Sequence, residues 1–181
     1  MSGRVLALLG LRCVGKSTLG RELAGQQGWA FVDLDEALAE QEGRPDAGSL
    51  LAAVGEQAFR DAEARALESV LGEAHARSEP TVLATGGGVV ERPANRARLA
   101  GCACVWLEAP VALLQERLRS DGAQARPSLG PGGDPSAELP GLLDRRSPWY
   151  AELAHLRLEV GALDVPSAVA RLASEAAPLL R

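Results

Sequence analysis

Lysine is nearly absent from this sequence, which has 19 basic residues but only one lysine, Lys16. Aromatic residues are scarce as well, at 3%, although 46% of the residues are hydrophobic. The core must therefore be built from Ala, Leu and Val. The 181 residues fit one domain, 1–181, and are ample for a sizeable core.

The sequence also lacks an excess of positive charge, since its net charge is -5 and its pI about 5.2. Nucleic acid is therefore not expected as a partner, because duplex binding needs a basic face. Three cysteines, Cys13, Cys102 and Cys104, give no disulfide framework, which is typical of a reducing compartment. The apolar run 5–9 is too short for a signal peptide, and no run approaches the ~18 residues of a membrane-spanning helix. We expect a cytoplasmic protein with no membrane partner.

Apolar runs alternate with amphipathic segments along the whole chain. Strands are predicted at 4–9, 29–32, 81–84, 102–107 and 156–160. Helices are predicted at 16–26, after Asp35, and at 55–76, 93–99, 110–119, 142–153 and 166–180. This alternation is typical of a doubly wound α/β fold with a parallel sheet. The Gly- and Pro-rich segment 121–140 predicts a loop, which we interpret as a lid over a site.

The lone lysine stands in the most informative motif of the chain. Residues 10–17 have the sequence GLRCVGKS, which fits the GxxxxGK[ST] pattern of a phosphate-binding loop between a strand and a helix. Backbone N–H groups are expected to cradle nucleotide phosphates, Lys16 to reach the outer phosphates and Ser17 to bind Mg²⁺. The loop interior is unusual, because many such loops carry Gly in place of Cys13 and Val14. The predicted nucleotide-binding residues are Gly10, Arg12, Cys13, Val14, Gly15, Lys16, Ser17 and Thr18.

An acidic residue that holds the metal is expected at the end of a buried strand. The third predicted strand is followed by Thr85 and three glycines, whereas the second is followed by Asp33 and Asp35. One of these carboxylates could face magnesium and the other an acceptor hydroxyl. Either could instead simply cap the helix that follows. The glycines 86–88 predict close approach of the backbone to a ligand, at the sheet edge where open α/β sheets bind ligands.

The motifs together resemble those of shikimate kinases over nearly the whole chain. The matching segments are 10–18, 31–35, 55–63, 84–90, 126–127 and 146–150. The resemblance implies a P-loop fold like that of nucleoside monophosphate kinases. Its three-layer sandwich would hold a five-stranded parallel sheet in the order 2-3-1-4-5. The mobile lid would lie at about 121–140 and the shikimate-binding helical region at about 35–65.

The reaction implied by the resemblance transfers the γ-phosphoryl of ATP to the 3-hydroxyl of shikimate, in the pathway to chorismate and aromatic amino acids. Lys16, Asp35 and Arg126 would be the catalytic residues. Asp35 would bind the ring hydroxyls and is the candidate base, and Arg126 would approach the phosphates from the lid. The cofactors would be ATP and Mg²⁺, with Ser17 and Asp33 at the metal.

The remaining implied roles belong to arginines and glycines. Arg60 and Arg146 would grip the shikimate carboxylate, because a guanidinium binds a carboxylate through two parallel hydrogen bonds. The same pocket would be lined by Gly86, Gly87 and Gly88. Arg119, by its spacing before Arg126, resembles the adenine-stacking arginine of the family. The family resemblance also implies a monomer.

Two alternatives to a shikimate kinase remain open at the level of sequence. A gluconate or nucleoside-monophosphate kinase would share the phosphate loop. The joint presence of Asp35, Arg60 and Arg146 suits a polyhydroxylated carboxylate better than a nucleoside monophosphate, but gluconate is disfavoured only by the full set of motifs. A catalytically weak nucleotide-binding regulator is supported only by the altered loop, and the intact Lys16 and Ser17 argue against it.

Overall fold

A computed structural model describes residues 4–120 and 134–180 of the chain. Its centre is a parallel sheet of five strands in the order β2-β3-β1-β4-β5. The strands are β1 (Val5–Leu9), β2 (Ala30–Asp33), β3 (Thr81–Ala84), β4 (Ala103–Glu108) and β5 (Leu156–Glu159). The predicted strand order and the α/β fold class are confirmed.

Helices cover both faces of this sheet and complete the three layers. They are α1 (Lys16–Gln27), α2 (Leu34–Gln41), α3 (Ala47–Ala76), α4 (Pro93–Leu99), α5 (Val111–Ser120), α6 (Leu139–Leu153) and α7 (Val165–Ala176). Short 3₁₀ turns follow β3 and α7, at Val89–Glu91 and Ala177–Leu180. No helix in the described part of the chain is long and apolar enough to span a membrane.

The central strands are buried along their whole length, because helices cover both of their faces. All residues of β1 and β3 are buried, and the core is dominated by Ala, Leu and Val as the composition predicts. Cys102 and Cys104 lie in this core. Burial raises the pKa of Cys102 to about 11 and that of Cys104 to about 12, so both remain thiols that act as small apolar groups.

The structure adds one helical segment and moves one predicted helix boundary. The predicted helix 55–76 follows a shorter segment that the sequence did not predict, which begins at Ala47 after Asp46 caps it by accepting a hydrogen bond from the Ser49 N–H at 2.7 Å. The two segments of α3 meet at Gly55, whose φ of 78° and ψ of 169° are not helical. Helix α6 begins at Leu139 rather than 142, so the segment predicted as a loop, 121–140, ends slightly earlier. Residues 121–133 of that predicted lid lie outside the described residues.

Three loops meet at the carboxyl ends of the central strands. The phosphate loop follows β1, Asp33 and α2 follow β2, and the glycine run follows β3. Neighbouring parallel strands end at the same edge of the sheet, so the order β2-β3-β1 brings these loops side by side.

Candidate active site

The phosphate loop owes its shape to residues in left-handed backbone conformations. Gly10 and Gly15 have φ values of 137° and 104°, and Cys13 has a φ of 63°. Cys13 is the only non-glycine residue with positive φ in the described part of the chain. The Lys16 ammonium lies inside the loop and donates to the carbonyl oxygens of Gly10 at 2.8 Å and Leu11 at 2.7 Å. No side chain caps α1, so its first N–H groups face the loop as an anion-binding end.

Asp33 connects the phosphate loop to the next helix through its two carboxylate oxygens. Its Oδ2 accepts a hydrogen bond from the Ser17 hydroxyl. Its Oδ1 accepts from the backbone N–H groups of Asp35 at 2.9 Å and Glu36 at 3.4 Å, and thereby caps α2. Capping and proximity to Ser17 are therefore compatible, and the paired hydroxyl and carboxylate oxygens are ligand types that Mg²⁺ prefers.

A cleft beside the phosphate loop contains the residues predicted to bind the acceptor. Asp35 and Arg60 are each 9% exposed and Arg146 is 3% exposed. The cleft is lined by these three residues together with Arg12, Ala47, Gly48, Leu51, Phe59, Glu63 and Gly86–Gly88. The structure thus brings together the aspartate, the two arginines and the glycine run that are far apart in sequence.

The glycine run makes room for charged side chains. A Cβ atom on Gly86 would lie 2.9 Å from Asp35 Oδ1, and one on Gly88 would lie 2.4 Å from Arg60 Nη2. A Cβ atom on Gly87 would have no neighbour closer than 3.4 Å. None of these glycines has a positive φ, so the run is needed for space rather than for backbone conformation.

Arg60 is paired within the cleft with Glu63, one helical turn further along α3. Its Nη1 donates to Glu63 Oε1 at 3.1 Å and Oε2 at 3.0 Å. Burial raises the pKa of the Glu63 carboxyl and outweighs the opposing effect of the Arg60 guanidinium. Sequence reasoning assigned no role to Glu63, although its i,i+3 spacing from Arg60 is a signal that could have predicted the pair.

Arg146 is paired with a carboxylate from a distant part of the chain. Arg146 Nε and Arg145 Nη2 each donate to Glu91 Oε1 at 2.8 Å. Burial alone would raise the pKa of Glu91, but Arg146 and Arg145 hold the pKa below its ordinary value. Sequence reasoning missed Glu91, because 55 residues separate it from Arg146 and only the fold brings them together.

A second cavity lies on the other side of the phosphate loop. Its lining includes Cys13, Thr18, Leu19, Arg117, Leu163 and Val165. Arg117 Nη1 donates to the Cys13 carbonyl oxygen at 3.2 Å. The combination of apolar walls and a guanidinium beside a phosphate loop suits a nucleotide base.

The three arginines predicted to bind nucleotide do not line the second cavity in the described part of the chain. Arg119 is outside that cavity, and its Nε donates to Ser136 Oγ at 3.1 Å. Arg117, two residues earlier on α5, lines the cavity instead. Arg12 belongs to the phosphate loop, but it lines the acceptor cleft. Arg126 lies outside the described residues.

Comparison with known proteins identifies the family. The family model for shikimate kinase matches residues 12–176. A shikimate kinase from Gloeobacter violaceus is 40% identical over 187 residues, covering 98% of this chain and 99% of the relative. One from Symbiobacterium thermophilum is 39% identical over 154 residues, covering 84% of each chain.

The chain belongs to the shikimate kinase family. It is therefore a kinase that uses ATP, and the predictions of family and of activity on shikimate are confirmed. The structure of a shikimate kinase from Acinetobacter baumannii in complex with shikimate has a TM-score of 0.83 and 30% identity to this chain, covering 99% of this chain and 96% of that one. A gluconokinase from Sinorhizobium meliloti has a TM-score of 0.59 and 20% identity, a likeness that shows a shared fold alone.

Proposed function

We propose that this shikimate kinase binds its acceptor in the cleft between α2, α3 and the glycine run, and transfers the γ-phosphoryl of ATP to the 3-hydroxyl of shikimate there. The observation that carries the proposal is the convergence of Arg60 and Arg146 with Asp35 in one buried cleft. Two guanidinium groups can bind one carboxylate, and the aspartate can accept hydrogen bonds from ring hydroxyls.

Arg60 and Arg12 strengthen the match between the cleft and an anionic acceptor. Arg60 Nε is a buried donor with no acceptor among the described residues, and a ligand carboxylate would satisfy such a group. Arg12 adds a third guanidinium at the cleft wall. Because Arg12 belongs to the phosphate loop and lines the cleft, we expect it to contact both the acceptor and the transferred group.

Asp35 is the proposed base or orienting group for the hydroxyl that attacks. It lies in the first turn of α2, and its side chain reaches the glycine run. Phosphoryl transfer depends mainly on positioning and on stabilising charge, so an aspartate that aligns the hydroxyl and accepts its proton is sufficient.

ATP is proposed to occupy the phosphate loop, with its base in the second cavity beside Arg117. The Lys16 ammonium would exchange loop carbonyl oxygens for phosphate oxygens, which are stronger partners because they are charged. Mg²⁺ would be held by Ser17 and Asp33, and when bound it neutralises phosphate charge. Arg126 is proposed to approach the phosphates from the lid.

We further propose that the chain acts as a cytoplasmic monomer without a nucleic-acid partner. The described residues of one chain supply both the acceptor cleft and the nucleotide site, so catalysis requires no second subunit. The net charge of -5 disfavours binding to nucleic acid.

ADP release in the presence of ATP and Mg²⁺ tests the proposed reaction. We expect strong stimulation by shikimate and none by gluconate or nucleoside monophosphates. The Arg60→Ala variant should raise KM for shikimate by about 100-fold, since it removes a buried charged partner of the carboxylate. The control is Arg65→Ala. Arg65 lies on α3 like Arg60, but it is exposed and pairs with Glu42 outside the cleft. ATP binding without stimulation by any acceptor would instead support a nucleotide-binding regulator.

A further inference from the structure

Arg146 meets Glu91 through one edge of its guanidinium. Glu91 ends the 3₁₀ turn that follows the glycine run, whereas Arg146 lies on α6. Arg146 Nε and Nη2 both lie 2.8 Å from Glu91 Oε1. The side chain of Arg146 is 3% exposed and that of Glu91 is 19% exposed, so solvent screens the pair only weakly.

This contact determines which part of Arg146 faces the acceptor cleft. Because Nε and Nη2 are directed at Glu91, the remaining nitrogen, Nη1, is the one directed at the glycine run. It lies 3.4 Å from the position of a Cβ atom on Gly87, which lines the cleft. Without Glu91, the Nε edge of the guanidinium would lose its acceptor, and orientations that present other donors to a ligand would become more accessible.

Glu91 is itself held from more than one direction. Its Oε1 also accepts from Arg145 Nη2 at 2.8 Å. Its backbone carbonyl oxygen accepts from Arg96 Nη1 at 3.2 Å, and the Arg96 guanidinium lies 5.0 Å from the ring centre of Trp149 on α6. Glu91 is thus a fixed point between the glycine run and α6 rather than a mobile surface carboxylate.

We propose that Glu91 is a positioning residue for acceptor binding, which holds Arg146 with Nη1 directed into the cleft before shikimate arrives. The proposal rests on the role of Arg146 as a carboxylate-binding residue under the proposed function. A preorganised arginine loses less conformational freedom on binding, which strengthens binding of a carboxylate. The negative charge of Glu91 would act in the opposite sense, by repelling the carboxylate of shikimate. A rise or a fall in KM for shikimate when Glu91 is removed therefore distinguishes positioning from repulsion.

The test compares Glu91→Ala and Glu91→Gln with the unmodified protein in the ADP-release assay. We expect Glu91→Ala to raise KM for shikimate about tenfold, while kcat and KM for ATP stay within about twofold, as for a loss confined to acceptor binding. Glu91→Gln should have a smaller effect, since its amide oxygen still accepts from Arg146. The control is Glu68→Ala, which breaks the exposed pair with Arg98 and should change neither KM.

A double-mutant cycle with Arg146→Ala distinguishes positioning from general destabilisation. If Glu91 acts through Arg146, adding Glu91→Ala to Arg146→Ala should leave KM for shikimate unchanged. A further full increase in that background would overturn the proposal, as would equal increases in both KM values. A lower KM for shikimate in Glu91→Ala alone would show that repulsion dominates, and an unchanged KM would show no net contribution from positioning; either result would overturn the proposal. Absence of shikimate stimulation in the unmodified protein would overturn the proposed function itself and this inference with it.

Discussion

Glycine has different functions in the phosphate loop and in the acceptor cleft. In the loop, Gly10 and Gly15 adopt φ values of 137° and 104°, so they provide backbone conformations that other residues rarely adopt. In the cleft, Gly86 and Gly88 have no positive φ, but side chains there would collide with Asp35 and Arg60. Under the proposed function, nucleotide recognition would rest on backbone shape, whereas acceptor recognition would rest on charged side chains for which the glycines leave space.

The largest expected difference between the acceptor cleft and the phosphate loop comes from Asp35→Asn, which changes a residue of the cleft. Turnover should fall by about 10²–10⁴-fold, the usual contribution of a general base. KM for ATP should hardly change, because Asp35 lines the acceptor cleft and not the cavity proposed for the nucleotide base. Steady-state kinetics with both substrates measure the two effects. The control is Glu36→Gln, since Glu36 is the adjacent residue and forms an exposed pair with Arg21. Near-normal turnover in Asp35→Asn would remove Asp35 as the base.

Adding one methyl group to the glycine run tests whether the run reserves space. Gly88→Ala would place Cβ 2.4 Å from Arg60 Nη2 and displace that guanidinium. We expect KM for shikimate to rise at least about tenfold, with KM for ATP unchanged. Gly87→Ala is the matched control, because its nearest neighbours would be at 3.4 Å. Equal increases in KM for shikimate in the two variants would contradict the hypothesis that Gly88 leaves space for Arg60.

Two arginines on one helix test the nucleotide side. Arg117→Ala should raise KM for ATP by about three- to tenfold, since it removes a guanidinium from the cavity beside the phosphate loop. Arg119→Ala should have little effect on KM for ATP, because Arg119 contacts Ser136 instead. A larger increase in KM for ATP in Arg119→Ala than in Arg117→Ala would favour Arg119 as the adenine-stacking arginine, as the sequence spacing predicts.

The α5 arginines also show where sequence reasoning reaches its limit. Arg119 was assigned by its distance from Arg126, a count that runs into the predicted lid. Spacing along the sequence does not show which of the two α5 arginines lines the cavity beside the phosphate loop, and in the structure it is Arg117. In contrast, the phosphate loop, Asp33 and Asp35 follow buried strands directly, so sequence alone could place them at one edge of the sheet.

Contacts between distant segments were beyond prediction for a different reason. The pair of Glu91 and Arg146 depends on how α6 packs beside the glycine run, and no local pattern encodes that packing. The direction of Arg12, into the acceptor cleft rather than toward the nucleotide cavity, depends on the local backbone of a loop with unusual φ values. The first segment of α3, before Gly55, was missed because Gly48 and Gly55 weaken its helical pattern, although Asp46 is a recognisable cap.

Cys13 allows the conformational role of the phosphate loop to be measured directly. A left-handed φ costs an L-residue about 1–2 kcal/mol, and part of this is offset by the larger entropy that Gly loses on folding. Cys13→Gly should therefore raise the free energy of unfolding by about 0.5–1 kcal/mol, measured by denaturant titration. Cys13→Ala keeps Cβ and should give no such gain. Equal stabilisation by both would attribute the effect to the thiol.

The smallest expected effect concerns how the carboxylates paired with Arg60 and Arg146 respond to pH. The pKa of Glu63 is raised above 4.5, so its contribution to stability falls as pH rises from 4.5 through the raised value. The pKa of Glu91 is lowered, so its contribution is present above 4.5 and is lost as pH falls through the lowered value. The free energies of unfolding of Glu63→Gln and Glu91→Gln can be measured from about pH 3 to pH 7. Each variant should lose the pH dependence that its own carboxyl contributes, and the two lost contributions should have opposite signs. Identical pH profiles of the two variants would contradict the assignment.

The position of Lys16 has a practical consequence. Lys16 is only 8% exposed, and two carbonyl oxygens of the phosphate loop accept hydrogen bonds from its ammonium. Because all other basic side chains are arginines or histidines, an amine-directed reagent has one side-chain target in this sequence besides the α-amino group. The extent of modification at Lys16, read by mass on the peptide that contains it, should fall as ATP fills the loop, and no introduced label is needed to follow it.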